Sequence, residues 1–566
     1  MGDPSFDLDT GRVGGLPLVN RYLERLQVAG LFDEHVPSDP RSKVPHARVL
    51  GVLVRNLVMS RVPLYGLGEW VEDWVPALVG LESAGEARLL NDDRVGRSLD
   101  ALFDADRVAM LTVLVVGAVR EFEVDVSQLH NDSTSLTLHG EYDGATGQLV
   151  RGQPTLQVAH GHNKDHRPDL KQLLWILTTS ADGAVPVLFK IADGGTEDST
   201  THCETWRMLC KIVGSTDFLY VADSKLCTRA NLRLIHEEGG RFITVLPRTR
   251  KEDEQFRDWL QSNQPPWEEI ARKPHLRLKD GPPDVIHACS SPIPDSDGYR
   301  VLWYRSSHKL ERDARTRRNA VEAAWKDLRE LKARVEGARS RFKSVATVSQ
   351  AAEKALEKRG AKRWITYEVE EYDEERYRQE KRGRPGKDTR WRRTKKKRFR
   401  LNWTLNQERV DYDARCDGIF PLITNCQAST PLEVLDAYRS KQPYLEKRHH
   451  LLKNVQSATP VYLKSASRIE ALFFLFFVAL LVVALIERDV RREMEKRGLE
   501  HLPLYPEKCK CSAPSVKRIL DVFEPLQRHV LSKAGVVVQR FEPELTKLQR
   551  QLLSMVGVSP QAFCGL

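Results

Sequence analysis

The sequence predicts an α/β protein with a central mixed sheet flanked by helices. Between residues 122 and 250, strand and helix patterns alternate in the order β-β-β-α-β-α-β, which is typical of a mixed sheet with helices on its faces. Before residue 120, apolar residues recur at helical spacing, and after residue 250 long charged helices interrupt the α/β pattern. A chain of 566 residues is too long for one core, so we expect two to four domains.

Composition and charge indicate a folded protein with a polyanionic partner. Apolar residues make up 41% of the chain and charged residues 29%, which excludes an intrinsically disordered chain. The net charge of +10 comes from clustered cations, favouring nucleic acid first and an anionic membrane surface second. Nine irregularly spaced cysteines argue against a disulfide framework and favour reduced thiols, with a zinc site at Cys509 and Cys511 as the alternative. The acidic start MGDPSFDLDT lacks an apolar segment, so no signal peptide is expected.

The region from residue 1 to 120 is predicted to be a helical domain. LPLVNRYLERLQVAGLF and ARVLGVLVRNLVMS both carry apolar residues three and four positions apart. LLNDDRVGRSLDALF adds an Asx-rich start before another periodic run. Small helical N-terminal domains often bind DNA, but the periodicity by itself indicates only a helical bundle.

Two acidic residues follow strand patterns in the region 121–250. Asp132 closes the first strand in LHNDST, and Asp223 closes the fourth in LYVADSK. Open α/β sheets bind ligands at the carboxyl ends of their strands, and the first and fourth strands can be neighbours in this order. The sequence therefore predicts two carboxylates at one point, although turn formation and helix capping explain each acid singly.

The region 251–430 is predicted to be an insertion of helices and strands. Apolar residues between 321 and 342 follow a heptad pattern, which fits either a coiled coil or an intramolecular hairpin with a helix at 348–358. WITYEVEEY and RFRLNWTLN then form two predicted strands. Between them, 14 of the 25 residues from Arg376 to Arg400 are Lys or Arg. A solvated loop and a mobile phosphate-contacting arm are the two interpretations, and the second is favoured.

A cationic helix is predicted over residues 430–454, and it contains the sequence QPYLEKRHHLLKN. At about 100° per residue, Glu446, His450 and Lys453 fall within an arc of about 60°. The helix would therefore present one carboxylate among basic side chains. A surface charge cluster is the alternative interpretation.

The apolar run Ala471–Ile486 is predicted to be a buried core helix. As a helix it would extend roughly 24 Å, which is shorter than the roughly 30 Å hydrocarbon core of a membrane. Charged residues flank it on both sides. A membrane anchor is the less favoured interpretation, and residues 491–566 are predicted to form a helical C-terminal tail.

Taken together, these residues resemble the bacterial insertion-sequence transposases of the DDE type, in the branch with a β-containing insertion before the catalytic Glu. That branch carries the signature Tyr-x2-Arg-x3-Glu-x6-Lys, matched here by Tyr438, Lys441, Glu446 and Lys453. Lys replaces Arg, and the interval from Tyr to Glu is one residue longer. GHNKDHRPDLKQ (161–172) and RIEALFFLFFVALLV (468–482) are also similar to this family, and the resemblance covers roughly residues 120–490.

The resemblance implies a catalytic core folded like ribonuclease H and retroviral integrase, formed by residues 121–250 and 431–490. It implies that Asp132, Asp223 and Glu446 are catalytic and ligate two Mg²⁺ ions, with Mn²⁺ as a substitute. The implied reaction is cleavage at the ends of the element, followed by attack of the freed 3′-OH on target DNA. The domain at 1–120 would bind the element ends.

The resemblance and the basic arm together imply a set of DNA contacts. They are Tyr438, Lys441, Arg448, His450, Lys453, His166, Arg167, Lys171, Arg392, Arg393, Lys395, Lys396 and Lys397. The implied partners are double-stranded DNA, both terminal inverted repeats and target, and a second copy of the chain on paired ends. No membrane partner is expected, and the implied location is the bacterial cytoplasm, associated with the nucleoid.

Two other functions fit the same sequence features. The first is a ribonuclease-H-fold DNA nuclease or resolvase that hydrolyses DNA without strand transfer. The second is a non-catalytic DNA-binding regulator derived from a transposase.

Overall fold

The computed structural model describes residues 6–275, 281–439, 442–455, 463–505 and 509–564. The chain divides into two compact units. The core unit consists of residues 1–244 and 434–566, and the insertion unit consists of residues 245–433.

The strands are short except for one long pair. They are β1 Phe6–Arg12, β2 Gln128–Leu138, β3 Leu149–Val150, β4 Gln153–Pro154, β5 Lys171–Ser180, β6 Pro186–Ala192, β7 Leu219–Ala222, β8 Arg241–Val245, β9 Glu268–Lys273, β10 Asp284–Ser290, β11 Arg300–Ser306, β12 Ile365–Gln379, β13 Trp391–Leu405, β14 Ile419–Thr424, β15 Gln527–Lys533 and β16 Val536–Phe541.

The helices concentrate at both ends of the chain and in the insertion. They are α1 Leu16–Arg25, α2 Val28–His35, α3 His46–Met59, α4 Leu67–Glu72, α5 Pro76–Val79, α6 Asp92–Asp104, α7 Arg107–Glu121, α8 His202–Val213, α9 Arg229–Glu237, α10 Lys251–Ser262, α11 Ser307–Glu336, α12 Val345–Arg359, α13 Gln407–Arg415, α14 Pro431–Arg439, α15 Gln442–His450, α16 Ala466–Lys496, α17 Val516–Asp521 and α18 Lys547–Met555. A π-helical turn, Leu451–Val455, continues α15.

The strands of the core unit form a mixed sheet in the order β6-β5-β2-β7-β8. β2, β5 and β6 are antiparallel neighbours, whereas β7 and β8 run parallel to β2. β5 is buried over nearly all its length, which agrees with its continuous apolar run LLWIL. The predicted α/β class, a mixed sheet flanked by helices with a helical N-terminal region, is confirmed.

Helix α16 fills the core beside this sheet. It is long and apolar enough to cross a membrane, but 94% of its most apolar window is buried inside the protein. The ring of Phe477 stacks on Phe189 of β6 at 4.7 Å, and Phe189 stacks on Trp175 of β5 at 4.9 Å. Because α16 is apolar all round and packs on both the sheet and the N-terminal helices α1, α3 and α6, it is a core helix, as predicted.

The chain ends differ from the predicted helices. β1 pairs antiparallel with β15, and β15 pairs with β16, so that both ends of the chain form one three-stranded sheet. Ala534 and Gly535 both have positive φ, at 51° and 78°, which suits the tight hairpin between β15 and β16. Alternating polar and apolar residues in β1 and the run of valines in β16 are local signs of strands. The pairing of β1 with β15 is a long-range contact.

In the insertion unit, β14, β11, β10 and β9 are antiparallel neighbours in that order. Helices α11 and α12 pack on each other and on the β12–β13 pair. Their shared apolar cluster includes Ala324, Leu328, Leu331 and Val335 of α11, Val348, Ala352 and Leu356 of α12, and Ile365, Phe399 and Leu401 of the strands. The heptad pattern is therefore used within the chain, as an intramolecular helical hairpin.

The predicted basic arm is mostly strand. β12 and β13 pair over their whole lengths, from Ile365 opposite Leu405 to Gln379 opposite Trp391. Only residues 380–390 form the connecting loop. The arm is ordered because the acidic strand β12 lies beside the basic strand β13, and opposite charges across an antiparallel pair stabilise it.

Candidate active site

The register of the core sheet places Asp132 beside Asp223. β2 and β7 are parallel, and their last paired residues are Asn131 and Ala222. Asp132 is the next residue of β2, Asp223 directly follows the end of β7, and adjacent strands lie about 4.8 Å apart. β2 itself continues past Asp132 to Leu138, because it goes on pairing with β5. The predicted neighbourhood of the first and fourth strands is therefore observed, although Asp132 lies within its strand rather than at its end.

Asp132 is a partly buried carboxylate with an altered proton affinity. Its side chain is 20% exposed, and the backbone N–H of Ser133 donates to Oδ1 at 2.8 Å. Burial raises the pKa of Asp132 to about 6, and the negative charges of Asp223 and Asp198 act in the same direction. The ammonium of Lys164 acts against that rise. A group that stabilises the ionised carboxylate is therefore already present in the site.

Asp223 is held by the turn that follows β7. The backbone N–H of Lys225 donates to Asp223 Oδ1 at 2.9 Å, and Thr244 Oγ1 donates to the carbonyl oxygen of Asp223 at 2.5 Å. The turn interpretation of this Asp-Ser sequence is thus correct locally. The turn also fixes the direction of the carboxylate.

Glu446 lies on α15, and its side chain is exposed. Tyr438, on α14, is affected by the charge of Glu446 and by the charges of the other two acids. Burial raises the pKa of the Tyr438 hydroxyl to about 12, and the charges of Asp223, Asp132 and Glu446 all add to the rise. The charges of all three predicted acids thus act on one phenol, which stays protonated and able to donate a hydrogen bond.

His449 lies against Asp132 and was not among the predicted site residues. Its Nε2 is 3.7 Å from Asp132 Oδ2, and its side chain is 9% exposed. Burial lowers the pKa of His449 to about 3, with Lys164 and Lys453 adding to the effect, so the imidazole is neutral. The signal was the helical spacing of the buried face of α15 and the π-helical turn after it, which includes Leu445, Arg448, His449 and Leu452.

Lys164 and Asp198 complete the surroundings of Asp132. Lys164 Nζ lies 2.9 Å from Asp198 Oδ2 and 4.0 Å from Asp132 Oδ1. The sequence analysis singled out His166, Arg167 and Lys171 from the same segment but passed over Lys164. Spacing alone does not indicate which cation of GHNKDHRPDLKQ points into the sheet.

The DNA contact predicted for Arg448 is wrong. Its side chain is buried, and Nη1 donates to Glu487 of α16 at 2.8 Å. Nε and Nη2 donate to the carbonyl oxygens of Ala184 and Gly183, both at 3.0 Å. The guanidinium therefore anchors α15 to α16 and to the β5–β6 turn instead of facing solvent.

The other side chains predicted to contact DNA near the acids differ in whether they already have a protein partner. Lys453 Nζ is bound to Asp165 at 2.7 Å, and Lys171 Nζ is bound to Asp143 at 3.2 Å and to a backbone carbonyl. Arg167 pairs with Asp169 at 2.7 Å on the surface. His166 and His450 are exposed, and Lys441 lies outside the described residues.

On the hairpin, the predicted contacts face acidic partners. Arg393 is paired with Glu375, Lys397 with Glu371, and Lys395 with Asp373 at 3.9 Å. Arg392 and Lys396 are exposed on the same strand. The net positive charge therefore shifts to the connecting loop, where the cations are Lys381, Arg382, Arg384, Lys387 and Arg390 and the acids are Glu380 and Asp388.

The carboxylate oxygens of these acids are ligands of the type that a hard divalent cation prefers. Mg²⁺ and Mn²⁺ prefer carboxylate oxygens, and a dication would offset the repulsion between Asp132 and Asp223. Among the described residues, no group of three His, Cys, Asp or Glu side chains is close enough to hold an ion. The structure therefore shows two neighbouring carboxylates, with Glu446 near enough to act on the same phenol.

Comparisons with known proteins found a family model of unknown function and a distant structural similarity. The family model described as "Domain of unknown function (DUF4277)" matches residues 8–116, within the helical N-terminal region. No curated protein sequence matches the chain. Among solved structures, the chain is similar to the "Cryo-EM structure of piggyBac transposase synaptic complex with hairpin DNA (SNHP)". The identity is 8% and the TM-score 0.39, over 91% of this chain and 82% of that one. No residue role is transferred from that complex.

Proposed function

We propose that the protein is a metal-dependent enzyme that acts on DNA phosphodiesters. More particularly, we infer a DDE-type insertion-sequence transposase, which cleaves the element ends and joins the freed 3′-OH to target DNA. The observation that carries this proposal is the register that places Asp132 beside Asp223 on parallel strands. The sequence resemblance supplies the transposase part of the proposal.

Each acid has a distinct place in the proposed site. Asp132 and Asp223 would hold the cation from the sheet, and Glu446 would complete the ligand set from α15. When bound, Mg²⁺ or Mn²⁺ supplies a Lewis acid that activates the attacking oxygen and stabilises the leaving one. The protonated Tyr438 hydroxyl is available as a hydrogen-bond donor, and the neutral imidazole of His449 lies 3.7 Å from Asp132 Oδ2.

DNA would be bound through phosphate contacts in both units. In the core unit, the exposed candidates include His450, on the same helix as Glu446, and His166. In the insertion unit, the candidates are the cations of the 380–390 loop. Lysine and arginine that lack a neighbouring carboxylate are better placed to neutralise phosphates than paired ones.

The test is cleavage of a duplex that carries the inverted repeat bounding the gene, with Mg²⁺. Asp132→Asn, Asp223→Asn and Glu446→Gln should each reduce cleavage by about a thousandfold or more, while DNA binding in a gel-shift assay persists. Asp169→Asn, at an exposed acid paired with Arg167, is the matched control and should cleave normally. Normal cleavage by any one of the three site variants would contradict the assignment.

A second assay separates strand transfer from hydrolysis alone. Pre-nicked ends with a free 3′-OH should become joined to target DNA, and the three acid variants should fail to join them. Hydrolysis without joining would indicate a nuclease or resolvase. If the protein performs its role in the cell without divalent metal, it would be a DNA-binding regulator.

A further inference from the structure

A lysine ammonium group is fixed inside the acidic site. Lys164 lies in the segment between β4 and β5, and its Nζ donates to the carbonyl oxygen and to Oγ of Ser133, at 2.6 and 2.8 Å. It also contacts Asp198 Oδ2 at 2.9 Å and lies 4.0 Å from Asp132 Oδ1. All three ammonium protons thus have an oxygen nearby. The charge is held in one place.

The partners of Lys164 are themselves fixed. Ser133 Oγ donates to Asp198 Oδ2 at 2.7 Å, which joins the residue after Asp132 to the same carboxylate. The backbone N–H of Lys164 donates to Ser135 Oγ at 3.1 Å. The lysine is therefore attached to β2 at both its backbone and its side chain, on the two serines that follow Asp132.

The next residue links this segment to the helix that carries Glu446. Asp165 accepts from Lys453 Nζ at 2.7 and 2.9 Å, and from Thr137 Oγ1 of β2 at 3.1 Å. Asn163 Nδ2 also donates to Thr137 Oγ1, at 3.1 Å. The segment therefore connects the strand of Asp132 to the π-helical turn after α15, and it is built into the site.

We propose that Lys164 is a positioning residue that serves as a built-in counter-cation of the acid site. Its ammonium compensates the carboxylate of Asp132 in the metal-free protein, and it opposes a divalent cation that binds at Asp132 and Asp223. The inference rests on the proposed metal-dependent function. Its physical basis is that a positive charge 4.0 Å from a carboxylate attracts it strongly in a partly buried site and repels a second cation there.

The test compares the full-length wild type with Lys164→Met and Lys164→Gln, which remove the charge, and Lys164→Arg, which keeps it. Binding of Mn²⁺ is measured by calorimetry, and melting temperature is measured in EDTA. Both neutral variants should bind Mn²⁺ about tenfold more tightly than the wild type, while melting at a lower temperature in EDTA. Lys164→Arg should remain close to the wild type.

Lys190→Met is the matched control, because Lys190 has similar exposure, 27% against 30% for Lys164, and pairs with Glu204 rather than with Asp132 or Asp198. It should leave Mn²⁺ affinity unchanged. Equal Mn²⁺ affinity in the wild type and in the neutral Lys164 variants would overturn the inference alone, because a merely structural lysine changes only the melting temperature. Absence of Mn²⁺ binding in every variant would overturn the inference together with the proposed function.

Discussion

Charge is arranged in opposite ways in the acidic site and in the β12–β13 hairpin. On the hairpin, exposed acids of β12 pair with exposed cations of β13, as Glu371 does with Lys397. In the site, Asp132 and Asp223 lie on neighbouring strands, and burial together with the second acid raises the pKa of the first. Ion pairs on the surface contribute little to the free energy of unfolding. Like charges that are partly buried reduce it and are typical of functional sites. The Arg448 ion pair is a third case, in which charge is buried but matched.

The largest effect is expected from breaking the buried ion pair. Arg448→Met removes the closer of the two guanidinium partners of buried Glu487, since Arg491 remains at 3.3 Å, and it also removes the donor to the carbonyl oxygens of Ala184 and Gly183. It should destabilise the protein by about 3 kcal/mol. Urea unfolding followed by circular dichroism measures the loss. Arg167→Met removes an arginine from an exposed pair with Asp169 and is the control, with little expected change. Equal losses of unfolding free energy in the two variants would contradict the prediction that the buried ion pair stabilises the protein more than the exposed one.

The next largest effect is expected from removing the partly buried charge of Asp132. Asp132→Asn should stabilise the metal-free protein by about 1–3 kcal/mol at pH 8, because a carboxyl whose pKa is raised destabilises the fold once it is ionised. The gain should shrink as the pH falls through 6 toward 4, where the wild-type carboxyl takes up its proton. The same variant should be inactive. A loss of stability at pH 8 would show that the carboxylate is a structural rather than a functional charge.

A similar effect of opposite pH dependence is expected at His202. Burial lowers its pKa to about 4, and its Nδ1 is 3.0 Å from the hydroxyl of Tyr220. The unfolded chain binds the proton first, so stability should fall as the pH drops from 6.5 toward 4, by about 1–2 kcal/mol at pH 5. His202→Gln should lack this part of the acid sensitivity in thermal melts, whereas His166→Gln, at an exposed position, should retain it. Identical pH profiles for wild type and His202→Gln would contradict the prediction.

The smallest effect concerns the hairpin and is read in the salt dependence of DNA binding. Alanine at Lys381, Arg382 and Arg384, in the loop, should reduce the slope of log affinity against log salt by about 2–3. Alanine at Arg393, Lys395 and Lys397, which have acidic partners, should reduce it by less than about 1. Both variants remove three cations, so equal reductions would mean that the strand cations exchange their partners for phosphate.

Features with a local pattern were predictable. The alternation of strands and helices after residue 122 predicts the mixed sheet, and the strand order allows Asp132 and Asp223 to be neighbours. The core position of α16 followed from its length and flanking charges. Each of these depends on residues close together in the chain, where periodicity and turn chemistry act.

Features that depend on distant partners were missed. The periodicity of α15 was visible, but only the packing of α16 and the β5–β6 turn directs Arg448 inward. The basic run is predicted as a mobile arm between two shorter strands, whereas cross-strand pairing with the acidic run before it extends both strands through most of the arm. β1 and β15 come from opposite ends of the chain, and no local pattern indicates that they pair.

The sequence by itself determined the fold class, the burial of α16 and the possibility of two acids on adjacent strands. The reason is that hydrophobic periodicity and strand order depend on contiguous residues. The tertiary structure alone decided which cations surround those acids. It brought Lys164 and neutral His449 to Asp132 and directed Arg448 to Glu487. The reason is that burial and charge pairing depend on packing between segments far apart in the chain, and these set both proton affinity and side-chain direction.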